Sequence, residues 1–177
     1  MKTKSFLKKA MVFVLSLIVL YVLQTALFPF LQLGGIVPNL LLILTVFYGF
    51  MRNSREGMIA GFVSGMVLDL LTGLSFGVHS LALLLIGFMN GKLRKVFYGD
   101  DVKLPLLFTG LSDLFYGLFI YLFFFLPRGR GDIKYYLLNI MIPEAVYTVL
   151  VALILYYLYA RIFSWLDQEE RKVEHLH

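Results

Sequence analysis

Apolar residues along this chain come in long, nearly continuous runs, without the strict alternation of a half-buried strand. Six runs stand out, at about 10–28, 37–51, 57–72, 78–91, 104–126 and 135–163, and the stretches between them carry the turn formers or the charges. Each run is read as a helix. Pro29 stops the first, and the linker at 29–39 (PFLQLGGIVPN) holds no charge. Pro38 opens the second helix, where its missing N–H is harmless in a first turn. The second run, about 15 residues, is short against the roughly 20 needed to cross a bilayer. Three accommodations suit it: little tilt, a thin bilayer, or a re-entrant pair with the third run. Re-entry would strand Arg52 and Arg55 in lipid, so a crossing is expected. The result is an all-α, polytopic membrane fold of six transmembrane helices in one domain, residues 1–177.

Composition agrees with that pattern. Hydrophobic residues make up 60% of the chain and charged ones 15%, whereas a soluble domain is nearer 45–50% apolar. There is no cysteine, which excludes disulfides, zinc–thiolate sites and cysteine nucleophiles. The first run is longer than a signal-peptide core and lacks a clear small-residue cleavage site, so it reads as a retained helix. With both termini placed inside, 13 Lys and Arg fall on the inner side and only Arg128, Arg130 and Lys134 on the outer, accounting for all 16. That is the positive-inside pattern. The net charge of +5 therefore reflects membrane topology, and no nucleic-acid face is expected. Trp165 and the tyrosines at 156, 157 and 159 fall at the inner interface, as aromatic belts do.

The third run carries the most distinctive spacing. Gly57, Gly61, Gly65, Asp69 and Gly73 fall at every fourth position, with Ala60 and Ser64 beside them and Gly77 one step further on. In water each glycine would cost a helix about 1 kcal/mol relative to alanine. In lipid, small-xxx-small spacing lets backbones approach closely, so these residues are candidates for helix packing or partner binding. Glycine is also simply commoner in transmembrane helices.

Three acids lie inside the expected helices: Asp69, Asp113 and Glu144. A mid-membrane Asp costs about 2.5–3.5 kcal/mol on insertion scales, so each needs protein or water around it. Asp69 falls near the outer end of its helix, while Asp113 and Glu144 approach mid-depth. Glu144 follows Pro143, which frees a carbonyl one turn earlier and suits a local break. Two readings stay open: hydrogen bonding between helices or to a partner, and an ion, proton or substrate path. His79 and Asn39, near the outer face, are placed to bond Asp69. No P-loop, GxGxxG, HExxH or GxSxG motif is present, and Ser112-Asp113 has no nearby His. His175 and His177 form a tail pair, and residues 130–132 spell an adhesion-like RGD; neither is weighted. No catalytic group, cofactor or metal is expected.

With these residues in view, the chain resembles the rod-shape-determining MreD family. The resemblance runs from about 28 to 95. It rests on Pro38-Asn39-Leu40 opening a leucine-rich helix, a short basic turn, the GxxxGxxxDxxxGxxxG run of Gly61, Gly65, Asp69, Gly73 and Gly77, then His79, Leu81 and Ala82, and a basic exit at 92–95. One departure is Asn39, where that family often has an acid. The resemblance implies a non-enzymatic scaffold of the bacterial cell-elongation machinery in the cytoplasmic membrane. Its implied partners are a single-span coiled-coil MreC, an actin-like MreB filament, and wall-synthesising glycosyltransferase and transpeptidase enzymes. It also implies a fold similar to the substrate-binding components of energy-coupling-factor vitamin transporters, so the alternative is a small-molecule transport subunit. Against that alternative, the first helix lacks the Ala-xxx-Ala contact typical of those subunits, having only Ala10 and Ala26. A third class, a lipid phosphotransferase, lacks its basic and acidic cluster here.

Overall fold

A helix that is apolar on every side belongs inside other helices, and the run LLLIL at 40–44 is apolar on every side. In the computed structural model, which describes residues 2–73, 77–96, 102–128 and 132–174, that run forms the central post. All eight residues of α2 (Leu40–Phe47) are buried, and the helix continues as a π turn, Tyr48–Arg52, buried as far as Phe50. Around it stand α1 (Lys2–Val22), α3 (Ser54–Thr72), α4 (Val78–Val96), α5 (Lys103–Ile120) and α7 (Ile142–Glu174). Each of these packs directly on α2. A short α6 (Ile133–Tyr136) and a π turn (Leu137–Met141) lead straight into α7, so the described chain forms six rods. It contains no strand, only an isolated bridge between Leu33 and Ile36 in the first linker.

Contacts at the helix ends fix the direction of each rod. At one end, Lys9 of α1 approaches Glu56 of α3 (3.8 Å), and Arg52 at the foot of α2 pairs with Glu56 (2.9 Å) and with Asp167 of α7. Arg94 of α4 donates to the carbonyls of Met51, at 2.6 Å, and Arg52. Phe50 packs on Phe108 of α5 at this end (centroids 5.6 Å). At the other end, Gln24 meets the start of α2 and Asp69 meets the start of α4. The rods thus alternate in direction, and α1 begins at the end where α7 finishes.

The charged flanks extend the helices beyond their apolar limits. Helix begins at Lys2 rather than 10, at Ser54 rather than 57, and α4 runs to Val96 rather than 91. Lysine, arginine and glutamate are good helix formers; hydropathy marks where lipid would end, and the helix need not stop there. The second helix departs the other way. It starts at Leu40 with Asn39 as its cap, and Pro38 lies just outside. Tyr98, Asp100, Asp101, Arg130, Gly131, His175 and His177 lie outside the described residues.

Three of the rods, Leu7–Phe30, Lys103–Arg128 and Ile133–Gln168, are long and apolar enough to cross a membrane. Their outward faces are greasy: Met11, Leu15, Leu107 and Ile154 are all more than half exposed. Water would disfavour so much apolar surface, whereas lipid suits it.

Candidate functional site

Residues that carry chemistry concentrate in two places: the seam between α3 and α4, and a polar layer between α4, α5 and α7. In the seam, the hairpin closes backbone to backbone. A Cβ added to Gly57 would lie 2.5 Å from the Gly87 carbonyl oxygen, one on Gly61 would strike the Leu83 carbonyl, and one on Gly65 would strike the Ser80 backbone. The opposing helix answers with its own glycines, since Cβ atoms at Gly87 and Gly91 would collide with Gly57 and Ser54. Gly49 of the central post joins them, with a Cβ 2.6 Å from the Gly87 oxygen. Gly49, Gly87 and Gly91 escaped the sequence reading, although Gly87-xxx-Gly91 repeats the spacing noticed in α3.

Gly73 and Gly77, expected in the same packing seam, are elsewhere. A Cβ on either would meet nothing within 4 Å, and their φ values are +61° and +100°. Their task is the turn. Gly73 caps α3 in the left-handed region, its N–H returning to the Asp69 carbonyl (3.2 Å), which glycine does without a Cβ penalty.

Asp69 is the latch of this hairpin. It is 3% exposed, and its Oδ2 accepts from the Gly77 N–H (3.0 Å), the Ser80 N–H (3.0 Å) and the Ser80 hydroxyl (2.6 Å), while Oδ1 accepts from the His79 N–H (3.0 Å). A carboxylate at the end of one helix thus caps the first turn of the next, where free N–H groups and the helix dipole favour a negative charge. The expected side-chain bonds from His79 and Asn39 to Asp69 do not form; three backbone N–H groups and the Ser80 hydroxyl serve the carboxylate instead. The His79 ring instead meets the Tyr116 hydroxyl at 2.7 Å and stacks on Phe124.

Asn39 serves the central post. Its Oδ1 accepts from the Leu42 N–H (3.1 Å), and the Gln24 side-chain oxygen takes the Leu40 and Leu41 N–H groups (2.9 and 3.3 Å). The Asn39 N–H donates to the Thr148 hydroxyl (3.2 Å). Because α2 starts inside protein, its orphan amides need protein partners. Asparagine and aspartate cap equally well, so the departure from an acid at this position leaves the capping role intact. Gln24 and Thr148, polar residues in apolar runs, were the signal the sequence reading passed over.

Asp113 of α5 and Glu144 of α7 lie on helices that pack together and within electrostatic range of each other. Asp113 is 4% exposed, and neither carboxylate oxygen has a hydrogen-bond partner. The Thr148 hydroxyl lies beside it without reaching hydrogen-bond geometry. Glu144 is half-buried and sits just past the π turn at Leu137–Met141, the local break that Pro143 announces. Immediately before Asp113, Ser112 accepts from the Asn90 side chain (2.8 Å), tying α5 to α4. On the outer side of the same helix pair runs an apolar groove of about 400 Å³ floored by Gly110 and Ala145.

A bundle of apolar rods with lipid-suited faces, joined internally by caps and latches, is that of an integral membrane protein. Comparison with known families takes this further: the family described as rod shape-determining protein MreD matches residues 4–164, and the chain belongs to that family. Its role is accordingly in rod-shape determination. No curated protein and no solved structure matches the chain.

Proposed function

We propose that this protein is a non-enzymatic scaffold of the bacterial cell-elongation complex. It spans the cytoplasmic membrane six times with both termini cytoplasmic and binds a single-span, coiled-coil MreC-like partner. Through that partner it helps connect an MreB-like filament inside with wall-synthesising glycosyltransferase and transpeptidase enzymes. The observation that carries the reading is the filled axis of the bundle. Residues 40–47, where a carrier would keep its substrate cavity, are at most 1% exposed, so binding surface is left mainly on the outside. Family membership supports the assignment to shape determination, and the basic cluster of Lys9, Arg52 and Arg94 at one end supports placing that end in the cytoplasm.

Pull-down of the tagged full chain from native membranes tests this. Recovery of a single-span coiled-coil protein is the expected result; its consistent absence overturns the proposal. A second reading, a substrate-binding subunit of a vitamin-type transporter, draws on the acids inside the helices, Asp113 buried and Glu144 half-buried. A small molecule that stays bound through purification would put that reading first.

A further inference from the structure

Separately from the scaffold role, we propose that Asp113 and Glu144 form a binding site for one small hard cation, a proton or a sodium ion, held between α5 and α7. Two carboxyl groups lie within electrostatic range there, Asp113 buried and Glu144 half-buried, and isolated charge inside a membrane bundle is expensive. At Asp69 the same problem is solved with protein groups, four hydrogen bonds reaching the carboxylate, and even the more exposed Glu56 and Asp167 at the bundle end have arginine or lysine beside them. At Asp113 it is not. Both oxygens are buried without a hydrogen-bond partner, and among the described residues neither carboxyl takes part in an ion pair.

The groups facing the pair supply oxygen and no positive charge. Tyr116 on α5 and Tyr136 on α6 lie within electrostatic range, and the Thr148 hydroxyl of α7 lies beside Asp113. His79 of α4 is engaged with the Tyr116 hydroxyl, and Asp69 of α3 reaches only as far as Tyr116. Two carboxyls within electrostatic range of each other in such surroundings resist being ionised together without a counter-charge. Among the described residues no third His, Asp or Glu converges on them, so a monovalent occupant matches the available charge better than a divalent one. Hard oxygen donors suit either a proton or sodium.

The experiment uses the full chain in phospholipid vesicles and a hydrophobic carbodiimide, which couples only to a protonated carboxyl shielded from water. In mildly acidic choline buffer the modification is expected on Asp113 or Glu144. If the occupant is sodium, added sodium chloride abolishes the modification. If it is a proton, sodium has no effect and the modification is lost on raising the pH to about 9. Absence of modification on both residues in choline overturns the proposal. A second measurement guards against poor reagent access. The unfolding midpoint of the wild type is expected to shift with sodium or with pH, and the shift is expected to vanish in the Asp113→Asn/Glu144→Gln double variant. Equal shifts in both proteins also overturn it.

Discussion

At the scale of single residues, the polar side chains inside this bundle divide into those with a complete set of partners and those without. Asp69 is complete, and its charge matters because it caps a helix start. Asp69→Asn keeps the size but removes the charge and replaces one acceptor with a donor facing N–H groups. A loss of about 2–4 kcal/mol is expected, from weakened charge-assisted bonds and an unsatisfied donor. It should appear as a lower unfolding midpoint in detergent; a midpoint within error of wild type would contradict the latch. Asn39 offers the opposite contrast. Asn39→Asp should be tolerated, because the acceptor oxygen for Leu42 remains, while Asn39→Leu should cost about 1–2 kcal/mol by removing the cap. Equal destabilisation by the two substitutions would mean that capping is not what Asn39 does. The sequence exposed these positions as unusual, because a carboxylate or amide in an apolar run is visible by eye. It did not reveal their partners. Asp69 is served by backbone N–H groups eight to eleven residues later, and a main-chain donor has no residue type to betray it.

At the scale of elements, the α3–α4 hairpin is the closest contact in the molecule, and its geometry permits no side chain at several positions. Gly61→Leu would drive a side chain into the Leu83 carbonyl. Backbone must then move, so the cost should exceed the roughly 1–3 kcal/mol typical of overpacking a core. Phe62→Leu, one residue away on the exposed face, should change the unfolding midpoint little. If both variants unfold alike, the hairpin is looser than its glycines suggest. Helix existence was readable from hydrophobic runs, because lipid enforces long apolar segments. The role of the second helix was less so. Its shortness looked like a problem of bilayer thickness; in the fold it is the inner post, about 20 Å from Leu40 to Arg52 at 1.5 Å per residue, and its neighbours supply the surroundings. Gly73 and Gly77 show the limit of spacing arguments. They share a four-residue period with the packing glycines, yet one helix ends before the first of them, and the period then means nothing about faces.

At the scale of the whole molecule, alternation of the rods puts the start of α1 and the finish of α7 at one end, beside the Lys9–Glu56–Arg52–Asp167 cluster. The chain lacks cysteine, so single cysteines can report sidedness in intact cells. A membrane-impermeant maleimide should modify Lys134→Cys from outside and reach Arg171→Cys only after permeabilisation. Modification of both from outside would break the proposed topology. Charge asymmetry made this legible in the sequence, since basic residues avoid the outer face whatever the tertiary contacts. The start of the central post carries a different message, about time. Its first amides are answered by Gln24, already made, and by Thr148, which emerges more than a hundred residues later. During synthesis the second segment must therefore wait, incompletely satisfied, until the last one arrives to close over it. A chain released after residue 128 should leave that segment easily digested by protease, and only the full-length product should protect it.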